Sequence, residues 1–210
     1  ERSPSSRWRS STKTTCSRNP SEQYSDVKGV NRGKEAALEW YEKFCAIAIP
    51  GLITLLSRYG IGFEAHLQNT LIVISERSGE PLYLILRDLG GMRLVQPRLD
   101  ALGLGTELAP GALTLRDSAI PAQKKLFYSF YQSVLGELVA SLKAEYEIKE
   151  CDLWKPVYAI TAKSFEELKS DHPHPEWVTE DFDAFTAPTW HFRSLFSMTL
   201  SESGPDYVET

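Results

Sequence analysis

Four polar side chains crowd the front of an otherwise aliphatic stretch, "FEAHLQNTLIVI" from Phe63 to Ile74: Glu64, His66, Gln68 and Asn69. A second run, "GEPLYLILRDLGGMRL", closes its aliphatic part with Arg87-Asp88 ahead of Leu89-Gly90-Gly91. Read as a strand, the first stretch sends Glu64, His66 and Gln68 to one face and Phe63, Ala65 and Leu67 to the other. A hairpin turning near Gly79 returns Asp88 beside Gln68 and Asn69, because residues equidistant from a turn pair across the ladder. Two carboxylates, amide groups, a histidine and an arginine are thereby expected at one end of a sheet.

That inventory suits a nucleoside triphosphate with magnesium. Mg²⁺ takes hard oxygen ligands, typically one or two carboxylates completed by phosphate oxygens and water. Asp88 and Glu64 are suitable ligands, and the side-chain oxygen of Asn69 is another. His66 and Arg87 can bear on phosphate or on charge developing at phosphorus. Taken singly, each residue has a structural reading: a histidine or asparagine at a strand mouth is commonly hydrogen-bonded, and an Arg-Asp pair before a turn commonly caps it. Convergence of five through one hairpin favours chemistry. The pattern His-x-x-Asn, hairpin, Asp-x-Gly also fits kinase-like phosphotransferases, in which an asparagine and an aspartate hold the metals. In those enzymes a catalytic aspartate lies just upstream of the asparagine. Leu67 and Gln68 stand there instead, and glutamine is a poor general base. A non-catalytic α+β module, its polar hairpin end structural or serving dimer contacts, is the third reading.

The elements that must position these residues are legible in outline. "KEAALEWYEKFCAIAIPGLITLLSRYG" carries Leu38, Tyr41, Cys45 and Ala48, then Leu52, Leu55 and Leu56, at helical spacing. It predicts one long helix kinked at Pro50 or two short ones, stopped by Gly60 and Gly62. "AHLQNTLIVISERSGEPLYLILRDLGGMRLV" predicts strand, turn, strand, turn and short strand, with turns at residues 77–81 and 89–91. Both long strands are aliphatic on both faces, which predicts cover on each side. Residues 97–120 are loop-rich. Pro121 opens a second helix with Leu126, Phe130, Val134, Leu138 and Leu142 as its stripe, and a further helix is expected over Trp154–Leu168. "TWHFRSLFSMTLS" reads as either helix or strand. The order predicts an α+β domain, a small antiparallel β-sheet built on a central hairpin and packed with several α-helices.

Composition narrows the class. The chain has 210 residues and a formal net charge of −5, which argues against a nucleic-acid partner. Residues 1–33 are rich in Ser, Thr and Arg and nearly free of aliphatics; they are expected to be a linker or disordered, with order from about Lys34. Cys16, Cys45 and Cys151 are odd in number and far apart, which suits a reducing cytoplasmic setting better than a disulfide framework. The longest apolar run, Phe44 to Leu56, is too short to span a bilayer.

Over residues 59–94 the sequence closely resembles the NRPS-independent siderophore synthetases of the aerobactin-synthetase, IucA/IucC type. The resemblance rests on "YGIGFEAHLQNTLIVI", with its Glu-Ala-His-x-Gln-Asn, and on Arg-Asp ahead of a glycine. The upstream Trp-containing helix with its proline is similar too. "RSLFSMTL" resembles the family's closing Lys-Ala-Leu-Leu-x-Met-Arg-Leu, with Arg193 where a lysine is usual and Thr199 where an arginine is usual. The resemblance covers about residues 37–200 and is thin over 97–185.

It implies a two-step ligation. A citrate-like polycarboxylate attacks the α-phosphate of ATP, giving an acyl adenylate and pyrophosphate, and an amine, hydroxylamine or alcohol then displaces AMP. Matched position by position, it implies that Glu64, His66, Gln68, Asn69 and Asp88 line an ATP, Mg²⁺ and carboxylate site. His66 and Gln68 would be catalytic, Glu64, Asn69, Arg87 and Arg193 nucleotide-binding, and Glu64, Asn69 and Asp88 metal-binding. It also implies a cytoplasmic enzyme without a membrane partner, with homodimers common. Family members are far longer, and their N-terminal thumb and fingers have no counterpart here. Residues 34–210 are therefore expected to be a C-terminal, palm-like portion, inactive alone. "DHPHPEW" at 171–177 is similar to a His-Pro-x-His-Pro element of the missing half but stands out of place. The name FhuF-like attached to this region raises a ferric-siderophore reductase. Its iron–sulfur cluster needs about four close thiolates, which three scattered cysteines do not supply.

Overall fold

The structure, a computed structural model, describes Tyr24 and residues 33–104, 114–189, 191–193 and 207–209, the last two groups as backbone. It is an α+β fold. Helix α1, Lys34–Tyr59, is a single helix that passes through Pro50. Gly60, at φ 69°, ends it by donating its N–H to the carbonyls of Leu55 and Leu56, a left-handed cap that glycine adopts without Cβ strain. Trp40, Tyr41, Phe44, Cys45, Ile49, Leu52, Ile53 and Leu56 are all buried, so α1 is the central helix of the core. Tyr24, inside the stretch expected as linker, is fully buried against it and donates its hydroxyl to Glu39.

Strand β1, Ile61–Gly62, pairs antiparallel with β4, Arg93–Val95, which runs parallel to β5, Leu115–Arg116. Between them, β2, Thr70–Ile74, and β3, Pro81–Leu86, form a separate hairpin with Thr70 opposite Leu86 and Leu71 opposite Ile85. Trp40 Nε1 donates to Gly79 O at 2.9 Å and Lys43 Nζ meets Glu80 Oε1 at 2.6 Å, fixing the hairpin's turn to α1. One hairpin face, Ile72, Ile74, Leu84 and Leu86, packs on the core. The other does not: Leu71, Tyr83 and Ile85 are 47%, 55% and 42% exposed. The expected cover on both faces is thus corrected to cover on one, because no described element lies over the outer side.

Helix α2, Gln96–Ala101, falls inside the region expected as loop. The second predicted helix is α3, Ile120–Leu126, which continues through a π-helical segment, Phe127–Leu135, into α4, Gly136–Tyr146. Leu126, Phe130 and Val134 are buried as the four-residue stripe predicts. Leu142 is buried as predicted too, whereas Leu138 is only half-buried; Leu135, at the end of the π segment, and Val139 join the core beside the stripe, because the segment's wider turns rotate the helix that follows. Helix α5, Glu150–Ser170, starts four residues earlier than predicted, and α6, Pro175–Thr186, was not anticipated. His191–Arg193 is a strand, β6, paired with β7, Tyr207–Glu209. Among the described residues no helix is long and apolar enough to cross a membrane.

Candidate functional site

Of the expected site residues, Glu64, His66, Gln68, Asn69, Arg87 and Asp88 lie at the open end of the hairpin, but the local backbone differs from a strand. Residues 63–66 have no regular structure and 67–69 form a turn, so β2 begins only at Thr70. The alternation expected to align Glu64, His66 and Gln68 therefore does not operate. The cause is Asn69. Its backbone N–H donates to His66 O at 2.9 Å and its side-chain amide to Glu64 O at 3.1 Å, closing the chain into a turn with Asn69 buried beneath it.

The hairpin does return Arg87 and Asp88 to this turn. Arg87 N–H donates to Asn69 O at 3.0 Å, and its guanidinium Nε donates to Gln68 O at 2.9 Å. Asp88 follows at φ 60°, ψ 72°, a left-handed conformation, and leads into the 3₁₀ turn Leu89–Gly91. Gln68, Arg87 and Asp88 are exposed, and His66 is half-buried. Among the described residues the side chains of His66 and Asp88 meet no hydrogen-bond or ionic partner. Arg193 lies in β6, backbone-paired with Tyr207.

Glu64 lies deeper. Lys125 Nζ is 2.8 Å from Glu64 Oε1, the lysine side chain only 6% exposed. Gly91 passes so close to the same carboxylate that a Cβ there would stand 1.8 Å from Oε2, while Gly90 faces Asp88 Oδ1. The two carboxylates thus flank adjacent glycines. This contact is built by β1. A Cβ on Gly62 would lie 2.5 Å from Ala122 O, so the strand lies directly against α3, and Glu64, two residues on, meets Lys125, about one helical turn on. Lys125 is a site neighbour that sequence reasoning missed. Its only local signal was a lysine within an apolar helix.

A second polar group, Arg98, Gln123, Asp181 and Ser57, is sealed in the core. Arg98 donates twice to Asp181, at 2.7 and 3.0 Å, and Gln123 and Ser57 donate to the same carboxylate at 2.7 and 2.6 Å. Arg98 also donates to Leu56 O at 3.2 Å. These bonds tie the end of α1 to α2, α3 and α6, the frame on which β1 and the hairpin mouth stand. Cys45 is no nucleophile: burial pushes its thiol up to about 12. A cleft of about 220 Å³ between the π segment, α5 and α6 is lined by Phe127, Tyr131, Trp154, Tyr158 and Phe185, and among the described residues no charged group lines it.

The family described as "Ferric iron reductase FhuF-like transporter" matches residues 38–207. The chain belongs to this family. Its relatives include siderophore synthetases: it is 26% identical over 194 residues to the D-ornithine–citrate ligase of Staphylococcus aureus, a match spanning 89% of this chain and 29% of that protein. Its fold is similar to that of aerobactin synthetase IucA from a hypervirulent pathotype of Klebsiella pneumoniae, with TM-score 0.68 and 21% identity over 91% of this chain and 33% of that one. The ATP-bound form of that synthetase matches with TM-score 0.63 and 21% identity, over 90% of this chain and 32% of that one. The resemblance to siderophore synthetases read from residues 59–94 is borne out. The chain spans about a third or less of the length of these relatives. Among the described residues no three His, Cys, Asp or Glu side chains gather as a metal site.

Proposed function

We propose that the chain is the C-terminal, palm-like portion of an ATP-dependent siderophore synthetase that works in the cytoplasm. The observation that carries this reading is the unpartnered pair at the hairpin mouth, His66 and Asp88 with Gln68 and Arg87 beside them, in a chain whose relatives include a D-ornithine–citrate ligase. The bare outer face of the hairpin adds support. Leu67 and Leu89, the sequence neighbours of Gln68 and Asp88, are exposed as well.

In this reading a polycarboxylate oxygen attacks the α-phosphate of ATP, expelling pyrophosphate. An amine, hydroxylamine or alcohol then attacks the acyl carbon of the adenylate and AMP leaves. His66 bears on the developing negative charge, with Gln68 orienting substrate oxygens beside it. Arg87, and Arg193 from β6, serve nucleotide phosphates. Mg²⁺ arriving with the nucleotide needs only one or two protein carboxylates. Asp88, exposed and unpartnered, fits that demand as the one carboxylate needed; Glu64 and Asn69 stand behind it, Glu64 with one oxygen on Lys125 and the other under Gly91. The ion would screen phosphate charge. With most of the synthetase missing from the chain, turnover by it alone is not expected.

Calorimetric titration of ATP with and without Mg²⁺, on the wild type and Asp88→Ala, tests the reading. Magnesium-dependent binding that Asp88→Ala abolishes supports it. Binding indifferent to both magnesium and Asp88 would sink it. In the complete enzyme, AMP and pyrophosphate as products separate it from a kinase, which forms ADP.

A further inference from the structure

We infer that Lys125 is a positioning residue of the nucleotide site: its ion pair holds Glu64 beneath Gly91, and that support sets the turn presenting Asp88. The inference deepens the function proposed above and rests on it for the role of Asp88. Three observations carry it. The pair is short, 2.8 Å, and its lysine is nearly fully buried, so the ammonium is fixed by the surrounding helix rather than swinging in water. The other oxygen of Glu64 lies against Gly91, where no side chain would fit, so the carboxylate is the floor on which the loop rests. Asp88 itself holds φ 60°, a left-handed conformation uncommon outside glycine though tolerated by aspartate, and it leads directly into the turn that ends at Gly91. Within the described structure, the carboxylate under Gly91 is a rigid polar contact three residues from Asp88, and its anchor is on another element, α3.

A neutral side chain at position 125 would leave Glu64 charged, half-buried and free to turn toward water. The 3₁₀ turn would lose its floor, and Asp88 would sample other directions. Groups that orient a metal ligand from behind change metal affinity by roughly 10- to 100-fold when removed. The same range is expected for magnesium-ATP binding here.

The test uses the whole chain with two readouts. Heteronuclear NOE and amide shifts of Gly90 and Gly91 report the order of the turn without any ligand, and calorimetry with magnesium-ATP reports binding. In Lys125→Met, the NOE at both glycines is expected to fall while amides of β2 and α1 keep theirs, and affinity to weaken by roughly 10- to 100-fold. Lys125→Arg, which keeps the charge, is expected to restore most of both. Gly91→Ala, which drives a methyl into the Glu64 carboxylate with Lys125 intact, is expected to give the same loss of turn order and guards against misfolding of the lysine variant. An unchanged NOE in Lys125→Met, or affinity within about twofold of wild type, overturns the inference. A turn that loosens as expected in a wild-type background that binds no magnesium-ATP keeps the anchor and overturns the nucleotide reading instead.

Discussion

The molecule contains two polar clusters that look alike in composition and differ in closure. Around Asp181 every carboxylate oxygen has two donors, from Arg98, Gln123 and Ser57, and Arg98 and Asp181 are 3% and 0% exposed. At the hairpin mouth the backbone is equally well tied, through Asn69 and Arg87, but the tips of His66 and Asp88 are left without partners. A cluster that satisfies itself holds four helices in register and has nothing left to offer a ligand. A cluster whose backbone is fixed and whose side chains are open is pre-arranged for one. Chemistry is therefore expected at the hairpin mouth, although the buried cluster carries the shorter bonds.

The comparison can be broken by substitution. The largest effect is expected for Asp181→Ala, which leaves the buried Arg98 guanidinium with only the half-exposed Glu180, 3.3 Å away, as counter-charge and should cost about 3–5 kcal/mol in denaturant unfolding. A loss near zero would mean that the sealed cluster does not hold the frame. Gly62→Ala sets a methyl against the Ala122 carbonyl and should cost about 1–3 kcal/mol, while moving Glu64 off Lys125. Amide shifts at Gly91 would register the second consequence. A smaller effect concerns His172, beside the sealed cluster. Burial, with positive Arg58, His174 and Arg98 nearby, holds it below its ordinary 6.5. The unfolded chain then takes up a proton before the folded one does, so stability is full above about pH 6.5 and falls as pH drops from there toward the lower folded value. Thermal unfolding of His172→Gln across this window should show a flatter profile. Asp88→Asn, which keeps a side chain that tolerates the left-handed backbone, is expected to change stability least, within about 0.5 kcal/mol, because the side chain is exposed and unpartnered. Finding instead that it destabilises strongly would move the hairpin mouth into the structural class.

Much of the frame could be read without the fold. The pairing of Asn69 with Arg87 follows from a turn at Gly79, and α1 and the helix after Pro121 follow from their apolar spacing. The strand predicted through Ala65–Asn69 was not found, because an asparagine amide reaching back to Glu64 O offers the backbone a turn that alternation does not anticipate. Helix α6 was missed although Pro175, Val178, Asp181 and Phe185 carry its signal. An aspartate on the buried stripe looks polar until its partner is known.

The sequence by itself determined the parts: a glycine-stopped central helix, an aliphatic hairpin and a polar run at its mouth. These are properties of residues within a few positions of each other, where backbone sterics and side-chain spacing act directly. Only the tertiary structure decided which polar groups meet. Lys125 and Glu64 are 61 residues apart, and Arg98 and Asp181 are 83 apart. No local preference encodes such pairs. Burial gives them their value, since a charge in the core must find its counter-charge and one in water need not.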